Sequence, residues 1–178
     1  MKLEQVVPSA DPEVVHATTQ PPRATSVLSA ELLTIERVAI LHKVALFADV
    51  PGHQLVPVAR LLEEVRVDAG VTVIEQGAVE NWLFVIADGV VRVHVGSHTL
   101  CETGPGEVVG ELAVLAPAPR SASVTAVEPT LLLRLRSEPF DELLEDHPEI
   151  ARAVMSALAR MLQSLPIVDR AGPTDGRV

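Results

Sequence analysis

Aromatic residues are almost missing from this 178-residue chain, which has no tyrosine, one tryptophan and three phenylalanines. Because 48% of its side chains are nonetheless hydrophobic, any core must be aliphatic, with the apolar fraction carried by Val, Leu and Ala. Cysteine is nearly absent too: Cys101 is the single thiol, which excludes an internal disulfide and fits a reducing cytoplasm. Positive charge is scarce. With 14 Lys and Arg against 24 Asp and Glu, the formal net charge is -10, which argues against a sequence-independent grip on DNA or RNA. Long apolar runs are missing as well. The longest candidate, residues 82–95, is interrupted by Asp88 and Arg92, so nothing reaches the roughly 18 uninterrupted apolar residues of a membrane span. The first 13 residues carry Lys2 but no apolar stretch of the kind a signal peptide needs.

What remains is globular composition, enough for one cored domain with tails. Residues 1–28 mix Pro8, Pro12, Pro21 and Pro22 with Ser, Thr and Gln and show no sustained period, so they read as a mobile arm. Residues 166–178 read in the same way, leaving 29–165 as the folded unit. Residues 30–47 are apolar at helical spacing through Leu32, Ile35, Ala39 and Val44, with Ser29 as N-cap. A shorter helix is expected after Pro51, starting late or kinking because Pro57 lacks a donor and crowds the preceding turn.

Beyond Glu64 the period changes to two. Val65 and Val67, then Val71 and Val73, then Val91, Val93 and Val95 alternate between turn signals at Asp68-Ala69-Gly70, Gln76-Gly77 and Asp88-Gly89. Residues 99–103, 107–109, 122–126 and 130–136 continue the series around an irregular stretch, 110–121. Short strands without helical crossovers indicate an antiparallel barrel or roll. Helix then returns: Ser137 can cap a segment ending near Asp146, and His147-Pro148-Glu149 starts another. In that last helix Ile150, Val154, Leu158, Met161 and Leu165 form one stripe, with Arg152, Ser156, Arg160 and Gln163 opposite. The stripe must be covered by the roll or by a partner's helix, which would make a homodimer through the terminal helices.

The irregular stretch holds the strongest local signal, Gly110-Glu111-Leu112-Ala113 followed by Arg120-Ser121-Ala122. A glycine that ends a strand and opens a short helical turn lets backbone donors approach an anion closely. An arginine a few residues on can close over the same anion with a planar fork. Glu111 must then serve another group, and a sugar hydroxyl is the natural donor for a fixed carboxylate. In isolation, a Gly-Glu turn and a later Arg amount to a solvated turn and a surface ion pair worth under about 1 kcal/mol.

Context reverses that reading. The segments Val109-Gly110-Glu111-Leu112-Ala113 and Arg120-Ser121-Ala122 resemble the phosphate-binding cassette of the cyclic-nucleotide-binding domain family, the sensor module of catabolite-activator-type regulators, kinases and channels. The similarity extends through Asp68-Ala69-Gly70, Glu75-Gln76-Gly77, residues 88–93, Gly104-Pro105-Gly106-Glu107 and the helical end at 139–162. It implies a mainly β fold: an eight-stranded antiparallel β-roll, jelly-roll-like, with N-terminal helices and two C-terminal helices. It also implies a ligand, cyclic AMP (cAMP) or cyclic GMP (cGMP), with Arg120 on the phosphate and Glu111 on the ribose 2′-hydroxyl. The amides near Leu112 and Ala113, with Ser121 and Ala122, would complete the cradle around Gly110. Ser121 leans the choice toward cAMP. Val109 departs from the family's usual aromatic, which alters packing behind the cassette rather than the ligand contacts.

No metal, cofactor or catalytic group is expected. His94 and His98 flank the turn Val95-Gly96-Ser97 but have no third ligand nearby, and read as solvated hairpin histidines. Gly104 and Gly106 are mis-spaced for a dinucleotide fingerprint and read as turn glycines. Cys101 has no nucleophile's partner and reads as a small buried or half-buried residue, while Met155 and Met161 read as core or dimer packing, or as contacts to the base. The expected function is a non-catalytic regulatory domain that signals ligand occupancy through its C-terminal helices. The competing reading is an interaction module of the same fold without nucleotide; a cupin-like enzyme ranks last, since its inward metal ligands are missing. The chain ends thirteen residues beyond Leu165, without the helix-turn-helix of a transcription factor. It looks like the cytosolic terminal sensor of a larger bacterial membrane transporter, detached or excised.

Overall fold

A computed structural model of the chain describes residues 31–110 and 118–164. The expected arms at 1–28 and 166–178, and the proposed cap Ser29, lie outside these. Among the described residues there are four helices and eight strands: α1 (Thr34–Leu41), α2 (Gly52–Leu61), β1 (Glu63–Val67), β2 (Thr72–Ile74), β3 (Trp82–Asp88), β4 (Val91–Val95), β5 (His98–Thr103), β6 (Val108–Val109), β7 (Ser123–Ala126), β8 (Thr130–Arg136), α3 (Ser137–Asp146) and α4 (Pro148–Ser164). None of the helices is long and apolar enough to cross a membrane.

The strands form two antiparallel four-stranded sheets, ordered β1-β8-β3-β6 and β2-β7-β4-β5. The antiparallel roll anticipated from the turn spacing is therefore the fold. Its interior is filled from both sheets by Val65, Val67, Val73, Ile74, Phe84, Ile86, Val91, Val109, Val124, Ala126 and Leu132. A second core lies on the other side of the β3–β8 layer, where Leu83, Val85, Leu133 and Leu135 meet buried residues of all four helices. Successive residues of β3 therefore enter different cores, as strand geometry requires. Being buried on both faces, β3 has no alternation of polar and apolar residues, and the period-two pattern passes over it.

The helices differ from expectation in length and in the face they bury. α1 ends at Leu41 instead of running to residue 47, and it buries Val38 and Leu41 while Ile35 and Ala39 face outward. The chain then tightens into turns bonded three residues apart, from Val44 N–H to Leu41 O, Phe47 N–H to Val44 O and Val50 N–H to Phe47 O. Three residues per turn keeps Leu41, Val44, Phe47 and Val50 in one line, and all four are buried. α2 neither starts late nor breaks at Pro57: it begins at Gly52 and buries Leu55, Val58 and Ala59, with Leu62 just past its end. Arg37 bonds the Leu62 carbonyl at 2.8 Å and Glu64 at 3.2 Å, so one guanidinium satisfies the exit of α2 and ties α1 to β1.

α3 starts at Ser137 as its first helical residue, with Arg136 in the cap position and no side-chain cap. Its Phe140 packs edge-on against Phe47, ring centroids 6.1 Å apart at 86°. α4 begins at Pro148, whose missing N–H has no helical acceptor to lose. Glu149, in its first turn, is held below the usual carboxylate range by its own backbone N–H and then by His147. Ile150 and Val154 are buried and Leu158 packs half-buried against the same core, whereas Arg152, Ser156, Arg160 and Gln163 are exposed, so the described part of the expected stripe lies against the protein's own core, joined there by Ala157. Met155 is 62% exposed and belongs to neither. The positions of the Met161 side chain and of Leu165 lie outside what is described.

Candidate functional site

A cavity of about 410 Å³ opens between the end of β6 and the segment leading into β7. Its apolar wall is Ile74, Val93, Val108, Val109 and Val124. Its rim carries Cys101, Thr103, Glu107, Gly110, Pro119, Arg120, Ser121 and Ala122. Of the seven residues singled out from sequence, Gly110, Arg120, Ser121 and Ala122 meet here. Glu111, Leu112 and Ala113 lie outside the described residues.

The local backbone explains why Arg120 is where it is. Its N–H bonds the Ala78 carbonyl at 2.9 Å and its own carbonyl accepts from Gly77 N–H at 2.8 Å, pinning it to the turn between β2 and β3. From that anchor the side chain runs inward and is only 3% exposed. Its Nη1 donates to the Gly110 carbonyl at 2.8 Å, its Nη2 to the Trp82 carbonyl, and its Nε to Glu80 Oε2 at 3.3 Å. The arginine thus joins three pieces of chain that are distant in sequence. Gly110 has φ +80°, and a Cβ there would fall 2.5 Å from Arg120 Nη1 and 2.9 Å from Ile74 Cδ1, so glycine is required by both conformation and space.

Glu80 is the residue the sequence reading missed. Its side chain is 7% exposed and pairs with Arg120. Burial raises its carboxyl above the ordinary range; Arg120 opposes that rise by charge and hydrogen bond, and Glu75 adds to it by repulsion. The only hint in the sequence was an acid two residues before an apolar strand, a common arrangement at any strand entry. Beside Glu80, the Trp82 indole N–H is buried with no acceptor among the described residues, and Arg134 lies 5.9 Å from the ring centroid.

Two weaker expectations are also resolved. Cys101 is exposed, contrary to the buried or half-buried position expected, because β5 is the edge of its sheet and nearly all its residues are open to solvent. His94 bonds the Gly96 carbonyl at 2.8 Å and Thr125 Oγ1 at 2.9 Å, which occupies both ring nitrogens within the hairpin. Among the described residues no group of three or more His, Cys, Asp or Glu could hold a metal. A second groove, between α1 and α2, is lined by Ile35, Val38, Ala39, His42, His53 and Val56 and contains no buried cation.

Chemically, the first cavity offers a buried guanidinium at one end of an apolar chamber, large enough for a small organic anion. Residues 64–147 match the profile of the Cyclic nucleotide-binding domain family. The chain is 37% identical over 112 residues to the Pycsar effector protein XpPycTIR of Xanthomonas perforans, covering 62% of this chain and 36% of that protein. It is 38% identical over 99 residues to the Cyclic AMP receptor protein of Thermus thermophilus, covering 53% and 46%. Among solved structures, the N-terminal domain of a transcriptional regulator from Streptomyces coelicolor A3(2) superposes with a TM-score of 0.66 at 32% identity, covering 70% of this chain and 90% of that domain. The chain spans less than half the length of these two curated relatives.

Proposed function

The chain belongs to the cyclic nucleotide-binding domain family, and from that premise we propose that it is a regulatory domain that binds a cyclic nucleotide, cAMP in preference to cGMP, without altering it. The observation that carries this reading is Arg120, a buried guanidinium held at the mouth of an apolar cavity beside the positive-φ glycine Gly110. Arg120 pairs with the cyclic phosphate, Gly110 keeps the backbone low enough for the ligand to approach, and Ser121 and Ala122 border the same anion. The apolar wall takes the purine. Glu111, Leu112 and Ala113 complete the cradle, the carboxylate receiving the ribose hydroxyl. The preference for cAMP is supported by Ser121 and by the likeness to the Thermus cyclic AMP receptor protein.

In this reading the ligand leaves as it entered: among the described residues the rim carries Cys101 and Glu107, and neither is paired with a base or metal that would activate it against a phosphodiester. The response travels through β6. Val108 and Val109 pair with Val85 and Phe84 of β3, whose Val85 and Leu83 pack in the same core as Ile150, Val154 and Ala157 of α4. A shift of Gly110 on binding therefore reaches the terminal helix in two packing steps, and only a difference in affinity between the two arrangements moves that equilibrium. The domain acts in the cytosol, within or beside a larger effector such as a membrane transporter, consistent with the greater length of its relatives.

Thermal melts with cAMP, cGMP and linear AMP test this directly. Stabilisation by the cyclic nucleotides, greater for cAMP and absent for AMP, is expected; at a hundred times the dissociation constant it amounts to about 2.7 kcal/mol. No shift with either cyclic nucleotide at millimolar concentration would favour an interaction module of the same fold.

A further inference from the structure

Glu80 and Arg120 form a buried ion pair at the cavity, and a nucleotide would bring a further negative charge to it. We propose that Glu80 is a positioning residue that makes nucleotide binding proton-coupled, the carboxylate taking up one proton from solvent as the phosphate takes its place as the counter-charge of Arg120. The inference rests on the reading of the cavity as a nucleotide site.

The geometry leaves little alternative for the charge. Glu80 Oε2 lies 3.3 Å from Arg120 Nε, with both side chains under a tenth exposed, so solvent screens the pair poorly. The same guanidinium is bonded to the Gly110 and Trp82 carbonyls, which fix its plane and keep it from turning away with the ligand. An anion arriving at Arg120 therefore meets an ionised Glu80 across one guanidinium. Two anions sharing one cation in a poorly solvated site repel, and the weaker acid relieves the repulsion by protonation. The phosphodiester is far too strong an acid to be that group. Among the described residues, the charged groups around Glu80 are Arg120, from the segment before β7, and Glu75, from the turn after β2; Glu107 is on the cavity rim, and the carbonyls of Trp82 in β3 and of Gly110, just past β6, accept from Arg120. Glu75 repels Glu80 and so favours the protonated form further. Burial already holds the Glu80 carboxyl above its usual range without ligand, so the window in which binding takes up a proton begins there and extends upward.

The sign follows from linkage. Where the bound state holds one more proton than the free state, the association constant falls as pH rises, by up to about tenfold per pH unit. Below the window Glu80 is protonated in both states, above it in neither, and affinity is flat on both sides.

The test is calorimetric titration of cAMP into the full chain between about pH 5.5 and 8, in pairs of buffers of unequal ionisation enthalpy that count protons directly. Wild type is expected to take up a proton fraction approaching one within the window, and Glu80→Asp to retain uptake. Glu80→Gln, which keeps an acceptor for Arg120 but cannot titrate, is expected to take up none and to show a flat affinity, tighter than wild type at the alkaline end. Equal uptake in wild type and Glu80→Gln, or none in wild type, overturns the proton coupling while leaving the nucleotide site standing. No binding by wild type at any pH overturns the site itself, and the coupling with it. If Glu80→Gln proves too unstable to titrate, uptake by wild type against Glu80→Asp still decides, because a shorter carboxylate must shift the window along the pH axis.

Discussion

Replacing Gly110 by alanine tests the link between backbone, arginine and cavity more sharply than removing the arginine does. Two costs are expected. The residue sits at φ +80°, where an L side chain pays about 1–2 kcal/mol. The new Cβ would also lie 2.5 Å from Arg120 Nη1, 3.2 Å from its Cζ and 2.9 Å from Ile74 Cδ1, so either the guanidinium or the strand must move. Overpacking of this kind costs about 1–3 kcal/mol, for a sum of about 2–5 kcal/mol. Gly77 provides the control. Its φ is +83°, but a Cβ there meets nothing within 4 Å, so Gly77→Ala isolates the conformational cost. Urea denaturation should place Gly77→Ala about 1–2 kcal/mol below wild type and Gly110→Ala a further 1–3 below that. Nucleotide titration should show affinity weakened by about tenfold or more in Gly110→Ala, corresponding to a displaced charged hydrogen bond, and little changed in Gly77→Ala. Equal stability loss in both variants, with equal affinity, would show that Arg120 is not held against Gly110 in solution.

The remaining predictions concern the scaffold and its titration. Phe140→Ala removes the fully buried ring that meets Phe47 and should cost about 3–5 kcal/mol in chemical denaturation, with α3 and α4 loosening first in hydrogen exchange. Arg37→Ala leaves the Leu62 carbonyl and Glu64 without this donor and should cost about 1.5–3 kcal/mol, a loss that Arg37→Lys only partly restores because one ammonium cannot span both acceptors. Because Glu80 has a raised folded-state pKa, it contributes stability below the ordinary carboxylate range that is lost as pH rises through the raised value. Urea midpoints of wild type should therefore fall relative to those of Glu80→Gln as pH increases, and a rise would show that the pairing with Arg120 outweighs burial.

Much of this molecule is legible in its sequence, and the exceptions have identifiable causes. Alternating valines and glycine-marked turns betray β1 and β4, whose roll-facing valines alternate with polar residues on the other face; β2 is marked by its flanking turns, since its adjacent Val73 and Ile74 are both buried in the roll. β3 escapes the pattern because Leu83 and Val85 enter the helical core while Phe84 and Ile86 enter the roll, leaving no polar residue to mark an outer face. α1 is recognisable as helix, but the face is not. Ile35 looks apolar enough to be core and is 70% exposed, and the buried line through Leu41, Val44, Phe47 and Val50 has a period of three that a helical stripe does not predict. Gly110 and Arg120 could be paired in advance only because the two segments that hold them resemble one family cassette; their spacing alone reads as a solvated turn and a surface ion pair. Glu80 could not, since its partner is 40 residues away and only the folded chain brings the two together. The scarcity of positive charge likewise needed the structure to acquire meaning. A chain of net charge -10 repels a long polyanion, yet one buried arginine can hold a single phosphate at contact range, where distant acids are screened beyond about 8–10 Å.

The measurement that bears most directly on the nucleotide site is a calorimetric titration of cAMP into wild type and into Arg120→Lys, which keeps the charge opposite Glu80 and hence the compensated pair. Trp82, the single tryptophan, whose carbonyl accepts from Arg120, offers a fluorescence signal for the same titration. A saturable one-to-one isotherm in wild type, weakened by about tenfold or more in a folded Arg120→Lys protein, is the expected result. Equal affinity in the two proteins, or no isotherm in wild type, would contradict the assignment of Arg120 as the phosphate's partner.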